Sequence, residues 1–106
     1  MLQRTDVIDL VTRSRDSRQY DLVLVVDSGE WREKNALHAL QEKINSYASY
    51  ALDGAMATDY PDSEGHAKAI LVQTIDVPPD DAVQFLMKVE TLLKPEGLPV
   101  RLERLE

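Results

Sequence analysis

Apolar positions recur along the chain with two different periods, and the changes of period separate strands from helices. Residues 7–12 are mostly apolar, and Asp9 interrupts the run, which is typical of a strand at the edge of a sheet. Residues 20–26 contain five consecutive aliphatic side chains, so neither face of this strand is polar. Such a strand is expected at the centre of a sheet, buried on both faces. A polar turn at residues 14–19 separates the two strands.

Two amphipathic segments predict helices. From about Arg32 the apolar positions lie three and four residues apart, on one helical face: Leu37, Leu40, Ile44, Tyr47, Ala48, Ala51, Leu52 and Ala55. Residues 53–54 either kink or end this helix, or the helix continues towards Pro61. A second helix begins at residues 78–81, where proline and aspartate suit the first turn. It ends near residues 94–97, where proline and glycine disfavour continuation.

Two further strands complete the order ββαβαβ. Residues 69–77 follow a polar loop and form a mostly buried strand, whereas residues 98–105 alternate as a strand with one wet face. Placing the two apolar strands in the centre gives the order 1-2-3-4, with an antiparallel first pair and helical crossovers joining the rest. Right-handed crossovers place both helices on one face. We predict a single domain over residues 1–106, an α/β fold of the two-layer α+β type with a four-stranded mixed sheet.

The second face of this predicted sheet has no helix to cover it. The central strands carry aliphatic side chains on both faces, Val23 and Val25 among them. Burial of apolar surface contributes about 25 cal/mol per Å². Leaving several of these side chains exposed to water therefore costs several kcal/mol, comparable with the net stability of a small domain. We therefore expect a homodimer that packs sheet on sheet, with Val23 and Val25 at the interface. The alternative is a monomer in which residues 7–12 or the region of Tyr20 folds over this face.

Composition and charge narrow the classes of partner. The net charge of −7 disfavours nucleic acid and anionic membrane surfaces, and it suits a basic protein partner. The chain has no cysteine, which excludes disulfides, thiolate nucleophiles and cysteine-based metal sites. No apolar run approaches the roughly 20 residues that span a bilayer, and residues 1–6 lack the apolar core of a signal peptide. We expect a cytoplasmic protein.

Three segments resemble a family of small bacterial proteins of unknown function. They are DVIDLV at residues 6–11, LQEKINSY at residues 40–47, and YALDG at residues 50–54 followed by YP at residues 60–61. The resemblance extends over nearly the whole chain. It implies a stand-alone bacterial cytosolic domain and carries no activity, cofactor or catalytic residue.

Groups that could carry chemistry are few, and none belongs to a known motif. Asp59, Asp62, Glu64 and His66 offer four potential metal ligands in one loop, but their spacing does not match an EF-hand. We interpret this loop as solvated. His38 lies beside the apolar helical stripe, and neither histidine has the surroundings of a general acid or base. No glycine-rich phosphate loop is present. We therefore predict no catalytic residue, no metal and no cofactor.

The sequence predicts a non-catalytic, self-associating protein-interaction or regulatory module. An acidic inhibitor or immunity-type protein is a more specific form of this prediction. Trp31 and Tyr50 are candidate interface residues, because tryptophan and tyrosine are enriched at binding hot spots. The alternative is a small-molecule-binding protein or minor enzyme. Its pocket would lie between the long helix and the sheet and use His38, Tyr47 and Tyr50.

Overall fold

Four strands form one mixed sheet in the order predicted. The computed structural model describes residues 2–13 and 19–105, so most of the predicted turn at residues 14–19 lies outside the described residues. The strands are β1 (Leu10–Arg13), β2 (Tyr20–Val26), β3 (Lys68–Thr74) and β4 (Val100–Arg104), in the order β1-β2-β3-β4. β1 runs antiparallel to β2, and the other two pairs are parallel.

The long amphipathic segment forms two helices instead of one. Helix α1 covers Ala36–Leu52, and the short helix α2 covers Ala55–Asp59. Gly54 separates them with a φ of 98°, a conformation that L side chains rarely adopt. A 3₁₀ turn at Glu30–Arg32 precedes α1, so the helix begins later than the apolar spacing predicts. The third helix, α3, covers Asp80–Leu93.

Strand β1 is shorter at its start than the apolar pattern predicts. The predicted strand covers residues 7–12, whereas β1 begins at Leu10. At residue 9 the ladder is continued by a side chain, because a carboxylate oxygen of Asp9 accepts the N–H of Val25 at 2.9 Å. The aspartate that interrupts the apolar run therefore marks where backbone pairing begins.

The core lies between the sheet and the two longer helices. Both α1 and α3 contribute buried side chains to one cluster, together with alternate residues of β2 and β3: Leu22, Leu24, Val26, Ile70 and Val72. Alternation places Val23, Val25 and Leu71 on the opposite face. Val23 is 1% exposed, which agrees with a central strand buried on both faces. Leu10 of β1, also on this face, is 51% exposed.

Candidate functional site

Asp9, Lys43 and Tyr47 form a buried polar cluster where β1, β2 and α1 meet. The Nζ atom of Lys43 lies 2.6 Å from Oδ1 of Asp9, and the two side chains are 0% and 2% exposed. The Tyr47 hydroxyl accepts the N–H of Asp9 and donates to the carbonyl of Val23, each at 2.8 Å. Together with the bond from Val25 to Asp9, these contacts join the segment before β1 to the sheet and to α1.

The Tyr47 phenol is held in its protonated form. Burial raises its pKa above the ordinary value, and the nearby carboxylate of Asp9 adds to this rise. The protonated hydroxyl both donates and accepts a hydrogen bond inside the protein. Tyr47 therefore acts as a connector between α1 and the sheet.

The structure does not bring His38, Tyr47 and Tyr50 together. The Nε2 atom of His38 lies 2.8 Å from Oε1 of Glu42 on the exposed surface of α1, and 69% of the His38 side chain is exposed. Tyr50 lies farther along the helix, and its hydroxyl donates to Oδ2 of Asp59 at 2.8 Å. The three polar groups considered for a ligand pocket thus face different surroundings.

Trp31 packs at the carboxyl ends of β2 and β3. Its Nε1–H donates to Oγ1 of Thr74 at 2.7 Å, and its ring packs against the core. The Thr74 hydroxyl in turn donates to the carbonyl of Asp76. A tryptophan used in this way anchors the 3₁₀ turn before α1 to the end of the sheet.

At the same end of the sheet, carboxylates of the protein itself accept hydrogen bonds from backbone N–H groups. Open α/β sheets often bind ligands beyond the carboxyl ends of their strands, where backbone N–H groups hold an anion. Here the N–H of Gly29 donates to Oδ2 of Asp76 at 2.7 Å. The Glu30 carboxylate accepts the N–H groups of Asp27 and Leu2, each at 2.7 Å. The two carboxylates therefore satisfy these three N–H groups without a ligand.

A groove of about 460 Å³ runs along the outer edge of β1. Residues 8–11 form one wall, and Tyr50, Asp59 and Tyr60 form the other. Successive residues of a strand point to opposite faces of the sheet. A groove that contacts both Leu10 and Val11 of β1 therefore follows the edge of the strand and not either face. We call it the β1-edge groove.

Acidic side chains surround Tyr50 at the end of this groove. A second hollow, of about 530 Å³, also contacts Tyr50, and Asp6 and Asp53 are among its lining residues. Of the residues that the structure describes, no lysine or arginine lines either the β1-edge groove or this hollow. The surface around Tyr50 is therefore electronegative.

Aromatic contacts hold Tyr60 beside the sheet. The ring of Tyr20 lies 6.4 Å from that of Tyr60 and 5.9 Å from that of His66, measured between centroids. The guanidinium carbon of Arg13 lies 5.6 Å from the centroid of the Tyr20 ring. These contacts position one wall of the β1-edge groove.

The loop considered for metal binding does not gather its ligands. Within the described part of the chain, no three histidine, aspartate or glutamate side chains come close enough to hold a metal ion. Asp59 is hydrogen-bonded to Tyr50, and His66 packs edge-on against Tyr20. Across residues 2–13 and 19–105, no helix has both the length and the apolar character needed to cross a membrane.

The fold is a two-layer α+β sandwich of one mixed sheet and two main helices, with a groove at its antiparallel edge. The chain belongs to the Family of unknown function (DUF6572), whose sequence model matches residues 1–106. The resemblance to a family of unknown function is thus confirmed. No curated protein matches the chain significantly. No solved structure matches it significantly either.

Proposed function

We propose that the protein is a non-catalytic protein-interaction module that self-associates through the sheet face opposite its helices. The observation that carries this proposal is a row of apolar side chains across that face. Leu10, Val23 and Leu71 are paired at one level of the sheet. Leu10 is half exposed and Leu71 is half-buried, whereas Val23 between them is 1% exposed, so the accessible part of the row is Leu10 and Leu71. An apolar row of this kind suits a protein interface.

A second copy of the chain suits this face because the face is electrostatically self-complementary. Arg101 continues the row on β4, whereas Asp21 and Glu103 lie on the same face. A two-fold axis parallel to the strands lays β1 of one copy over β4 of the other. Leu10 then covers the aliphatic part of Arg101, and the guanidinium approaches an acidic side chain of the other copy. The interface carries both signs of charge, although the chain has a net charge of −7.

Sedimentation equilibrium with two matched variants tests the proposal. Arg101→Glu reverses a charge on the proposed interface, and Arg104→Glu makes the same change on the same strand but on the other face. We expect dimers of the wild type and of Arg104→Glu at micromolar concentration. Arg101→Glu should weaken dimerisation at least about tenfold, because like charges are costly in an interface.

Two results would overturn self-association through the sheet face. One is a wild-type protein that is monomeric throughout the micromolar range. The other is a dimer that forms equally well in the wild type and in Arg101→Glu. Circular dichroism of both variants shows whether each retains the wild-type fold, so that a loss of dimer is not mistaken for unfolding.

The interior supports an interaction function over a small-molecule site between the long helix and the sheet. Leu40, Ile44 and Tyr47 of α1 are at most 2% exposed and fill this space. The hollow between α1 and α3, about 280 Å³, has a mostly apolar lining that includes Ile44 and Phe85, and its polar lining residues are two amides. A ligand pocket would need convergent polar groups in a concavity. His38 and Tyr50, which were considered for that role, face other surroundings.

A regulatory role as an acidic inhibitor is the form of this function that the charge favours. An anionic surface speeds association with a basic partner, and salt weakens this effect. The electronegative surface around Tyr50 is where such a partner would be attracted.

A further inference from the structure

We propose that the β1-edge groove binds an extended polypeptide segment, which adds a strand to β1 and sets a basic side chain against Asp59. This inference rests on the proposed interaction function. It uses a different surface from the sheet face that would join two copies. It also assigns a binding mode, main-chain pairing, and a partner chemistry, a lysine- or arginine-bearing segment.

The first observation is that, among the described residues, β1 forms a ladder on one side only. Its pairing partner is β2, and it ends the strand order of the sheet. An antiparallel ladder uses the N–H and C=O groups of every second residue, so the residues between direct theirs outward. Residues 10–13 contain no proline, so each outward-facing residue of β1 has an N–H group to donate. An extended peptide satisfies such groups by strand addition.

The second observation is that the groove offers contacts for alternate side chains of an added strand. Ile8 and Val11 are half-buried on the β1 wall, and Tyr60 is 40% exposed on the other wall. Side chains of an added strand would point alternately towards and away from this apolar wall. Backbone pairing supplies affinity in such a site, and the wall selects side chains.

The third observation concerns the charge of the occupant. Tyr50 donates a hydrogen bond to one oxygen of Asp59 and so orients the carboxylate. Within the described residues, no lysine or arginine pairs with this carboxylate. With Asp6 and Asp53 nearby and no basic side chain among the described residues of either lining, a cationic side chain is the complementary partner. Edge pairing of two copies would bring two acidic grooves together, which opposes it.

Two capped hexapeptides that differ at one position test this inference. One is acetyl-Thr-Val-Lys-Val-Thr-Val-amide, and the other has Glu in place of Lys. Each is titrated into the isotope-labelled protein, and the backbone amide resonances are followed. We expect the Lys peptide to shift the amides of residues 8–13 and to bind at least about tenfold more tightly than the Glu peptide. Added salt should reduce the difference.

Matched variants identify the carboxylate responsible. Asp59→Asn should remove most of the preference for the Lys peptide, and Asp62→Asn, which alters an exposed carboxylate outside the groove lining, should retain it. The inference is overturned if neither peptide shifts residues 8–13, if the two peptides bind equally, or if Asp59→Asn retains the full preference.

The same titration on Arg101→Glu separates this inference from the sheet-face dimer. If the wild type is monomeric but binds the Lys peptide at β1, the self-association proposal is overturned and the groove proposal stands. If the wild type is a dimer but binds neither peptide at β1, the groove proposal is overturned and the self-association proposal stands. Failure of the groove and failure of the dimer are therefore distinguishable.

Discussion

The ammonium group of Lys43 lies 2.6 Å from a carboxylate oxygen of Asp9, and neither side chain is more than 2% exposed. Removing one member of a buried ion pair leaves the other charge in the interior without its counter-ion. We expect Lys43→Met to lower the free energy of unfolding by about 3–5 kcal/mol. Urea denaturation followed by circular dichroism measures this loss.

The coupling between these two residues can be isolated with a double-mutant cycle. Asp9→Asn should also be destabilising, because it leaves the Lys43 charge without its carboxylate partner. The double variant should lose less stability than the sum of the single variants, since neither charge then remains. Strictly additive losses would show that the two side chains contribute independently.

The Tyr47 hydroxyl joins β2 and the segment before β1 to α1, so we expect its removal to lower the free energy of unfolding. Tyr47→Phe leaves the N–H of Asp9 and the carbonyl of Val23 without this partner in the interior. We expect the free energy of unfolding to fall by about 1–3 kcal/mol. Tyr60→Phe, on a partly exposed ring, is the control and should change it by no more than about 0.5 kcal/mol. Equal effects of the two substitutions would contradict the assignment.

Tyr50 should titrate late in an alkaline series. Burial, together with the hydrogen bond to the Asp59 carboxylate, raises the pKa of Tyr50 above its ordinary value to about 12. The folded state therefore holds this proton more tightly than the unfolded state. The resulting stability is complete below pH 10 and is lost as the pH rises towards 12. Ultraviolet absorbance of tyrosinate follows the titration.

Substitutions at the pair assign that titration. Tyr50→Phe should remove one phenol from the late part of the absorbance curve. Asp59→Asn should lower the Tyr50 pKa towards 10.0, because it removes the negative charge beside the phenol. An absorbance curve that is identical in all three proteins would contradict the proposed cause.

Glu30 should make the free energy of unfolding depend on pH in the acidic range. Burial raises the pKa of Glu30, but hydrogen bonds from the N–H groups of Asp27 and Leu2 are among the contacts that bring it below 4.5. A lowered folded-state pKa gives stability that is present above about pH 4.5 and is lost as the pH falls through the lowered value. The difference in free energy of unfolding between the wild type and Glu30→Gln should therefore narrow below pH 4.5.

Glu33→Gln is the control for this substitution. Glu33 is exposed close to Glu30 in the chain. Its substitution should change the free energy of unfolding by no more than about 0.5 kcal/mol at neutral pH. If Glu30→Gln differs from the wild type by the same amount at every pH, its carboxylate has no linkage to folding.

The strand order was predictable because β2 is apolar on both faces. Five aliphatic residues in succession leave no wet face, and the structure has this strand at the centre of the sheet. The helical spacing also located α1 and α3. The sequence left open whether the first helix is interrupted at residues 53–54 or continues towards Pro61. The positive φ of Gly54 shows that it is interrupted.

The buried ion pair was not predicted, although one signal for it exists. Lys43 lies on the same helical stripe as Leu40, Ile44 and Tyr47, where a charged residue requires a partner. That partner, Asp9, is 34 residues away in the chain, and periodicity carries no information about such a contact. The β1-edge groove was missed for a similar reason, because it exists only after the turn at Gly54 brings Asp59 back to Tyr50.

The hydrogen bond from Val25 to the carboxylate of Asp9 has a consequence for how the hairpin aligns. A slip of β1 by one residue would turn its side chains to the other face and withdraw this carboxylate from both Val25 and Lys43. Such a slip therefore removes the Asp9 carboxylate from the buried ammonium group of Lys43. The ion pair between Asp9 and Lys43 of α1 in this way favours one register of the edge strand.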